Sequence, residues 1–452
     1  MLKKIYLNRY SIYFFKVIIK INFLFVLKVY CKYLILKRAF CKIKTETNFI
    51  SVINTHDQSG GASTIAYELC ENLKEKKNIH FYVKYKKRSK DWIKEIYERK
   101  NIFLENLLIE EAKRKGWINF AGFDSINLLD DLHFNKSKIV HLHNLHENYL
   151  SPAIFSVLFK NKEIIWTLHD EYINTGHCGF SMKCNNWVNG CGNCPDLTIY
   201  PSVTFDNTKK VLKNKIKWIN DIQPYIITPS NWLEKRVRTV YPKLKNIKTI
   251  HNGIDTKTFF PKNKVESKKK ISLPIDKILV LFVAEFATKN PFKGGNIFRE
   301  IIEKNTNKEI VFISVGNKIE HTLKNHISIP YITAKEELAI LYNACDVLLY
   351  PTQADNFPLV VLESMACGTP VITSKLGGIP EIITNEEDGF LVTNYHTKDE
   401  FLEILNTYVG FTTIKKSSLG ANASKKITTH FSLDKMNESY LNLYNEVLNT
   451  NE

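Results

Sequence analysis

Short apolar runs of four to six residues recur along most of the chain, and between them the apolar positions fall at helical spacing. "TNFISVINTHDQSGGASTIAYELCENLKEKK" predicts a strand over 49–54, a glycine loop, and a helix from about Ser63. "IHFYVKYK", "KIVHLHNLH", "EIIWTLHD" and "YIITPS" read as further strands, and "NWLEKRVRTVY" as a helix. A second series follows in "KILVLFVAEF", "EIVFISVG", "ISIPYI", "DVLLYP", "PVITS" and "GFLVT". Apolar strands alternating with helical stretches predict parallel sheets with crossover helices. The final stretch, "SLDKMNESYLNLYNEVLN", places Met436, Tyr440, Leu443 and Val447 on one helical face.

Two doubly wound α/β domains are therefore expected. The polar, basic, proline-bounded stretch 252–274 supplies the linker, set at 256–274. The N-terminal domain is expected over 47–255 together with the last helix, 432–450, and the C-terminal domain over 275–431. Ligands of such sheets bind beyond the carboxyl ends of the strands, so two such domains facing each other would make a cleft there.

Composition is that of a globular chain, 44% hydrophobic and 24% charged over 452 residues. The net charge of +17 is uneven: residues 1–47 carry eleven Lys/Arg and one acid, leaving +7 for the rest. Tracking a nucleic-acid backbone needs a basic stripe on the folded body, so a nucleic-acid partner is not expected. The tail, 1–46, has no run near the roughly 20 apolar residues of a membrane span. Its lysines Lys16, Lys20, Lys28 and Lys32 form a stripe beside apolar residues such as Phe14, Ile18 and Phe25. That pattern suits a helix lying in an anionic membrane interface. A span with snorkelling lysines, or a helix packed on the body, are the alternatives.

The stretch "QADNFPLVVLESMACGTPVIT" carries the most chemistry. Asp355 to Phe357 fall in the loop after a strand, Pro358 suits the first turn of the next helix, and Gly368 suits its left-handed stop. Glu363 then lies on a packed helical face with Leu359 and Ala366. A carboxylate there is expensive unless hydrogen-bonded, and vicinal sugar hydroxyls are a natural partner. A surface glutamate on a misassigned face is the plain alternative.

The acid-x7-acid spacing, followed by "MACGTPVI" and "GGIPEII…DGFLV", resembles the donor site of family-four retaining glycosyltransferases of the GT-B fold, with "ADNFP" similar to the colanic acid and exopolysaccharide branch. The resemblance extends over most of 48–450. It implies that Glu363 binds the nucleotide ribose and that Asp355 sits against the transferred sugar. It places Asn356 and Phe357 near the diphosphate, and Lys293 in a Lys-Gly step that steadies the leaving group. Gly377, Gly378 and Glu381 would form a loop approaching base and phosphate. Two departures stand out: Asp355 replaces the family's usual Glu, and Glu285 replaces a usual Arg, with Lys289 as the nearby substitute.

On the acceptor side, Gly60-Gly61 before a helix is suited to an anion or a sugar, but it is neither a P-loop nor a dinucleotide fingerprint. His141 and His143 alternate along a strand, as metal ligands or, more simply, as capping or core residues. The resemblance assigns His169 to the transferred sugar. Asp170 would orient it or bind acceptor, and His143, Gly60 and Gly61 complete the acceptor side.

Cys178-x5-Cys184-x6-Cys191-x2-Cys194 has the composition of a tetrahedral zinc clip, with free thiols or disulfides as alternatives. No catalytic cofactor is expected. The resemblance implies a transferase using a UDP- or GDP-linked sugar and a glycan or lipid-linked acceptor at the cytoplasmic membrane face. A nucleotide-sugar epimerase of the same fold, a zinc-containing nucleic-acid binder and an inactive scaffold are the rival readings.

Overall fold

The computed structural model describes residues 45–96, 102–284, 290–316 and 325–449, with a few helical positions between 22 and 33. Most of the basic tail therefore lies outside the described residues, as do Glu285 and Lys289. The chain divides into two compact units, one of 1–227, 235–248 and 441–452, the other of 228–234 and 249–440.

The first unit is built on a seven-stranded sheet: β1 (Glu46–His56), β2 (Asn78–Tyr85), β3 (Ile93–Glu95), β4 (Ser137–Leu142), β5 (Glu163–Thr167), β6 (Tyr225–Thr228) and β7 (Ile247–Thr249). Their order is β3-β2-β1-β4-β5-β6-β7, and the pairs from β3 to β6 are parallel. β1 is buried on both faces, as its Ile50, Val52 and Ile53 show, which is why it reads as a continuous apolar run. β3 and β7 are three-residue edge strands, too short to show alternation.

The second unit holds β8 (Ile278–Val283), β9 (Ile310–Val315), β10 (His326–Ile329), β11 (Val347–Tyr350), β12 (Val371–Ser374) and β13 (Phe390–Val392). The order β10-β9-β8-β11-β12-β13 is parallel throughout. Both sheets reverse direction of growth beside their first strand, at β1/β4 and at β8/β11, and ligand crevices of doubly wound sheets open at such points. Asn54 to His56 close β1 at the first reversal, with Asp57 and His143 just beyond it, and Pro351 to Asp355 follow the second.

The stretch assigned to a linker, 256–274, contains the helix Lys264–Lys270. Its Phe259 and Leu273 are buried in the second unit's core. Ile254 pairs with Ser432 in the same unit. The last helix, Leu433–Asn449, has its residues from 441 onward in the first unit, where the Tyr444 hydroxyl meets His141 Nδ1 at 2.8 Å. Among the described residues no helix is long and apolar enough to cross a membrane.

Candidate active site

The helix Leu359–Ala366 begins after Pro358 in extended conformation and ends before Gly368, whose φ of +73° is the left-handed stop the sequence predicts. Its residues Val361, Leu362, Met365 and Ala366 are buried. Glu363 is half-buried on the same helix. Its Oε2 accepts from the Tyr342 hydroxyl at 2.9 Å. No described residue donates to its Oε1. Burial pushes its carboxyl up to about 7, against the pull of the Tyr342 hydroxyl and the Lys335 charge. Burial and the Glu363 charge in turn raise the Tyr342 phenol. An acid held in this state gains from any pair of hydroxyl donors that reaches it.

Asp355 lies in the loop beyond β11. Its Oδ2 takes Lys293 Nζ at 2.7 Å and the Tyr350 hydroxyl at 2.8 Å, while Oδ1 takes the Asn356 amide at 2.9 Å. Burial works against the Lys293 ammonium, but the Asp355 charge and Tyr350 override it and hold the lysine above its usual value. A fixed cation thus stands in the same loop cluster as the N-terminus of Leu359–Ala366, where unpaired amides and the helix dipole favour anions.

Glycines allow this loop to pack. Gly294 has φ +71°, and a Cβ there would meet the Pro351 carbonyl at 1.7 Å. At Gly377, with φ +57°, a Cβ would meet the Asp355 carbonyl at 2.0 Å; at Gly378 it would meet the Asn356 carbonyl at 2.4 Å. Gly378 N donates to Asn356 O at 2.8 Å. The expected role of Gly377 and Gly378, close approach to a ligand, is therefore met here by close approach to the Asp355–Asn356 backbone.

Other residues of the motif are committed within the unit. Asn356 is buried and its Oδ1 accepts from Ser230 at 2.6 Å, leaving Nδ2 without a partner. Its amide, expected near a diphosphate, is taken by Asp355. Phe357 is buried, stacks on His251, and its carbonyl accepts from Asn252. Glu381, expected near the base, instead caps the helix Asn231–Val240: its oxygens take the Asn231 and Trp232 amides at 2.9 and 2.8 Å and His251 Nε2 at 3.1 Å. Those contacts outweigh burial and hold its carboxyl low.

In the first unit, His169 and Asp170 follow β5, both half-buried. His143 Nδ1 and His169 Nε2 are 2.9 Å apart, and His143 Nε2 is buried without a partner. Placing the proton on His143 Nδ1 leaves a lone pair, not an N–H, unmatched at Nε2, which is the cheaper arrangement. His169 then carries its proton on Nδ1. Burial lowers His169 to about 4 despite Asp170, so it is a neutral donor at physiological pH. His141 is locked between Tyr444 and Thr167, a core histidine.

Asp170 does not orient His169. Its Oδ2 accepts from His146 Nε2 at 2.8 Å and its Oδ1 from the Tyr172 amide. The residue that orients His169 is His143. Gly60, with φ +72°, and Gly61 open the helix Gly60–Leu73 and are exposed.

Cys178, Cys184, Cys191 and Cys194 are free thiols. They line one concavity together with His177 and Trp187. Among the described residues no group of three or more His, Cys, Asp or Glu side chains is already drawn together to hold a metal.

Tyr342 and Tyr350 carry no motif of their own. Tyr350 ends the strand that leads into the acidic loop, and a phenol buried at such a place must find an acceptor. Tyr342 comes from a different helix, Lys335–Ala344, and only the fold brings it to Glu363.

Two doubly wound parallel sheets, each with polar residues beyond its reversal point, define the GT-B class of glycosyltransferases. Residues 59–258 match the family described as Glycosyltransferase Family 4, and residues 263–425 the one described as Glycosyl transferases group 1. The chain is a glycosyltransferase and belongs to this group-1, family-four lineage.

Among curated relatives, the colanic acid biosynthesis glycosyl transferase WcaC of Escherichia coli (strain K12) is 25% identical over 331 residues, covering 68% of this chain and 76% of that protein. Among solved structures, Anabaena Alr3699/HepE in complex with UDP-glucose superposes with TM-score 0.60 at 14% identity, covering 89% of this chain and 99% of that one. WaaG, a glycosyltransferase involved in lipopolysaccharide biosynthesis, gives 0.62 at 12% identity over 87% and 99%. At these identities the structures speak for the fold alone.

Proposed function

We propose that this enzyme transfers a sugar from a UDP- or GDP-linked donor onto a hydroxyl of a glycan or lipid-linked acceptor, with retention of anomeric configuration, in cell-surface polysaccharide biosynthesis. The single observation that carries the reading is Glu363. It is a half-buried carboxylate with one oxygen held by Tyr342 and the other without a described partner, on the helix that follows the second sheet's reversal strand. The WcaC relative's name supports polysaccharide synthesis, and the UDP-glucose bound to the HepE neighbour supports a nucleotide sugar as donor.

In this reading Glu363 takes two ribose hydroxyls, and Lys293, steadied by Asp355, faces the diphosphate. Negative charge grows on that diphosphate as the glycosidic bond breaks, so a pre-oriented cation lowers the barrier more than the ground state. Asp355 keeps the lysine charged and presents its carboxylate to the transferred sugar. The first unit supplies His169 Nδ1–H as a neutral donor to a sugar hydroxyl, with His143 fixing its ring. The departing phosphate oxygen receives the acceptor's proton, so the protein's task is positioning and charge stabilisation.

The tail is read as an interfacial helix that brings the enzyme to the cytoplasmic membrane face. Phe25 and Val29, one helical turn apart, are 68% and 51% exposed, which supports that reading.

The test is a panel of UDP- and GDP-sugars incubated with lipid-linked glycans, read by nucleoside diphosphate release and product mass. Acceptor-dependent transfer from one donor is expected. Donor consumption that yields only a free epimerised nucleotide sugar, or no turnover across the panel, overturns the reading.

A further inference from the structure

We infer that Cys178, Cys184, Cys191 and Cys194 form a structural zinc site that ties together the long loop 175–207 of the first unit. Nothing in the transfer chemistry uses these residues. The loop runs from the turn Tyr172–Asn174 to the helix Thr208–Ile222 with only the short turn Asn186–Asn189 of its own. So long a segment inside a compact domain needs a cross-link or a core, and its buried apolar residues are few, Trp187 and Val203 among them.

Four features of the structure point to a cation held by thiolates. First, the four cysteines line one concavity. Second, backbone amides already aim at two of them: Gly176 N donates to Cys191 Sγ at 3.3 Å and Asn186 N to Cys184 Sγ at 3.4 Å. Sulfur accepts such bonds far better as thiolate than as thiol.

Third, four successive residues, Gly190, Cys191, Gly192 and Asn193, have φ of +92°, +59°, +94° and +49°. Two of these are not glycine, and left-handed backbone there costs on the order of 1 kcal/mol each. Such a run persists only where the surroundings over-determine it, and it turns the chain tightly between Cys191 and Cys194.

Fourth, Lys215 is 2% exposed, with its ammonium on the Tyr172 and Thr175 carbonyls at 2.7 and 3.1 Å. Thr175 in turn donates its hydroxyl to the Cys178 carbonyl at 2.6 Å, and Gly176 beside it is the donor to Cys191 Sγ, so the ammonium stands against the cysteine loop. A buried cation beside four neutral thiols is poorly compensated. Beside a dianionic zinc tetrathiolate it is the counter-charge.

The binding step balances as four thiols and one Zn²⁺ giving the tetrathiolate complex and four protons. It requires the sulfurs to rotate inward until each lies about 2.3 Å from a common centre. With four protein ligands the ion has no open position, so it organises the loop and does not enter the reaction.

The full chain, purified under reductant without chelator, is analysed for zinc by mass spectrometry of the metal. About one zinc per chain is expected, released on titration of about four thiols with a mercurial reagent. Cobalt exchange should give the intense sulfur-to-metal charge-transfer bands of thiolate ligation.

Cys191→Ser should lose the metal; because it also loosens the loop, Lys215→Met provides a second reading. It keeps all four ligands and should speed zinc transfer to a chelator about tenfold. Chains without zinc as purified and after exposure to zinc under reductant overturn the site, as does undiminished zinc in Cys191→Ser. Unchanged release from Lys215→Met overturns the counter-charge role. Sugar-transfer activity enters none of these readouts, so the zinc site and the proposed reaction stand or fall separately.

Discussion

Glu363→Gln should stabilise the protein while weakening its hold on nucleotide. The wild-type carboxyl is raised from 4.5 to about 7 by burial, a shift equivalent to roughly 3 kcal/mol between its two protonation states. The sign follows from linkage. A folded pKa above the unfolded one means the folded state binds more protons between those values. Stability therefore falls as pH climbs from about 4.5 to about 7 and stays at the lower level above that. Glutamine removes this titration and keeps an oxygen for the Tyr342 hydroxyl.

Partial solvent contact reduces the figure, leaving about 2 kcal/mol in favour of the variant at pH 8 and under about 1 kcal/mol at pH 5. In a unit of this size that is on the order of 5 °C in melting point. Thermal melts of both proteins across pH 5–8 measure it. The same substitution removes charge from two proposed ribose contacts, and hydrogen bonds to charged groups are worth about 1.5–3 kcal/mol each. Affinity for the nucleoside diphosphate should fall about a hundredfold. A gap in melting point that does not widen with pH, or a variant less stable than wild type at pH 8, refutes the electrostatic account of Glu363.

Other substitutions separate the remaining roles. Lys293→Met leaves Asp355 with Tyr350 and one amide; turnover should drop by about 10²–10³, the size typical of losing a pre-oriented charge donor, while circular dichroism stays native. Gly377→Ala places a Cβ 2.0 Å from the Asp355 carbonyl in left-handed backbone, so both melting point and donor affinity should fall, by at least about 2 kcal/mol in stability. His169→Ala should lower kcat about 10²-fold with nucleotide affinity unchanged, measured by initial rates and calorimetry side by side. Glu381→Gln should reduce thermal stability by about 1 kcal/mol, as losing a helix cap does, with little effect on donor affinity; a large loss of affinity would return Glu381 to the ligand.

Much of the fold was legible because each sheet's buried strands are uninterrupted apolar runs bounded by glycine, proline or charge. β3 and β7 were not, since three residues carry no period. The stretch 256–274 looked like a linker because its lysines dominate its composition, yet Phe259 and Leu273 bury themselves in the second unit. Glu363 and Asp355 were readable as acids in apolar surroundings, and Lys293 through its glycine neighbour. Their partners Tyr342 and Tyr350 were not, because a buried phenol looks like any core aromatic until its acceptor is in view.

The pairing of Asp170 with His146, in preference to the adjacent His169, depends on the loop after β4 and has no trace in local sequence. Glu381 stood in a motif that suggested a ligand, and only the position of Asn231 and Trp232 reveals a cap.

The most direct measurement compares binding of a nucleoside diphosphate with that of its 2′,3′-dideoxy analogue, using whichever of UDP or GDP binds more tightly, in wild type and in Glu363→Gln. Wild type should favour the ribose form by about a hundredfold, from two charge-assisted hydrogen bonds, and the variant should lose most of that preference. Equal affinity of the wild-type enzyme for the two ligands would contradict the assignment of Glu363 to the ribose.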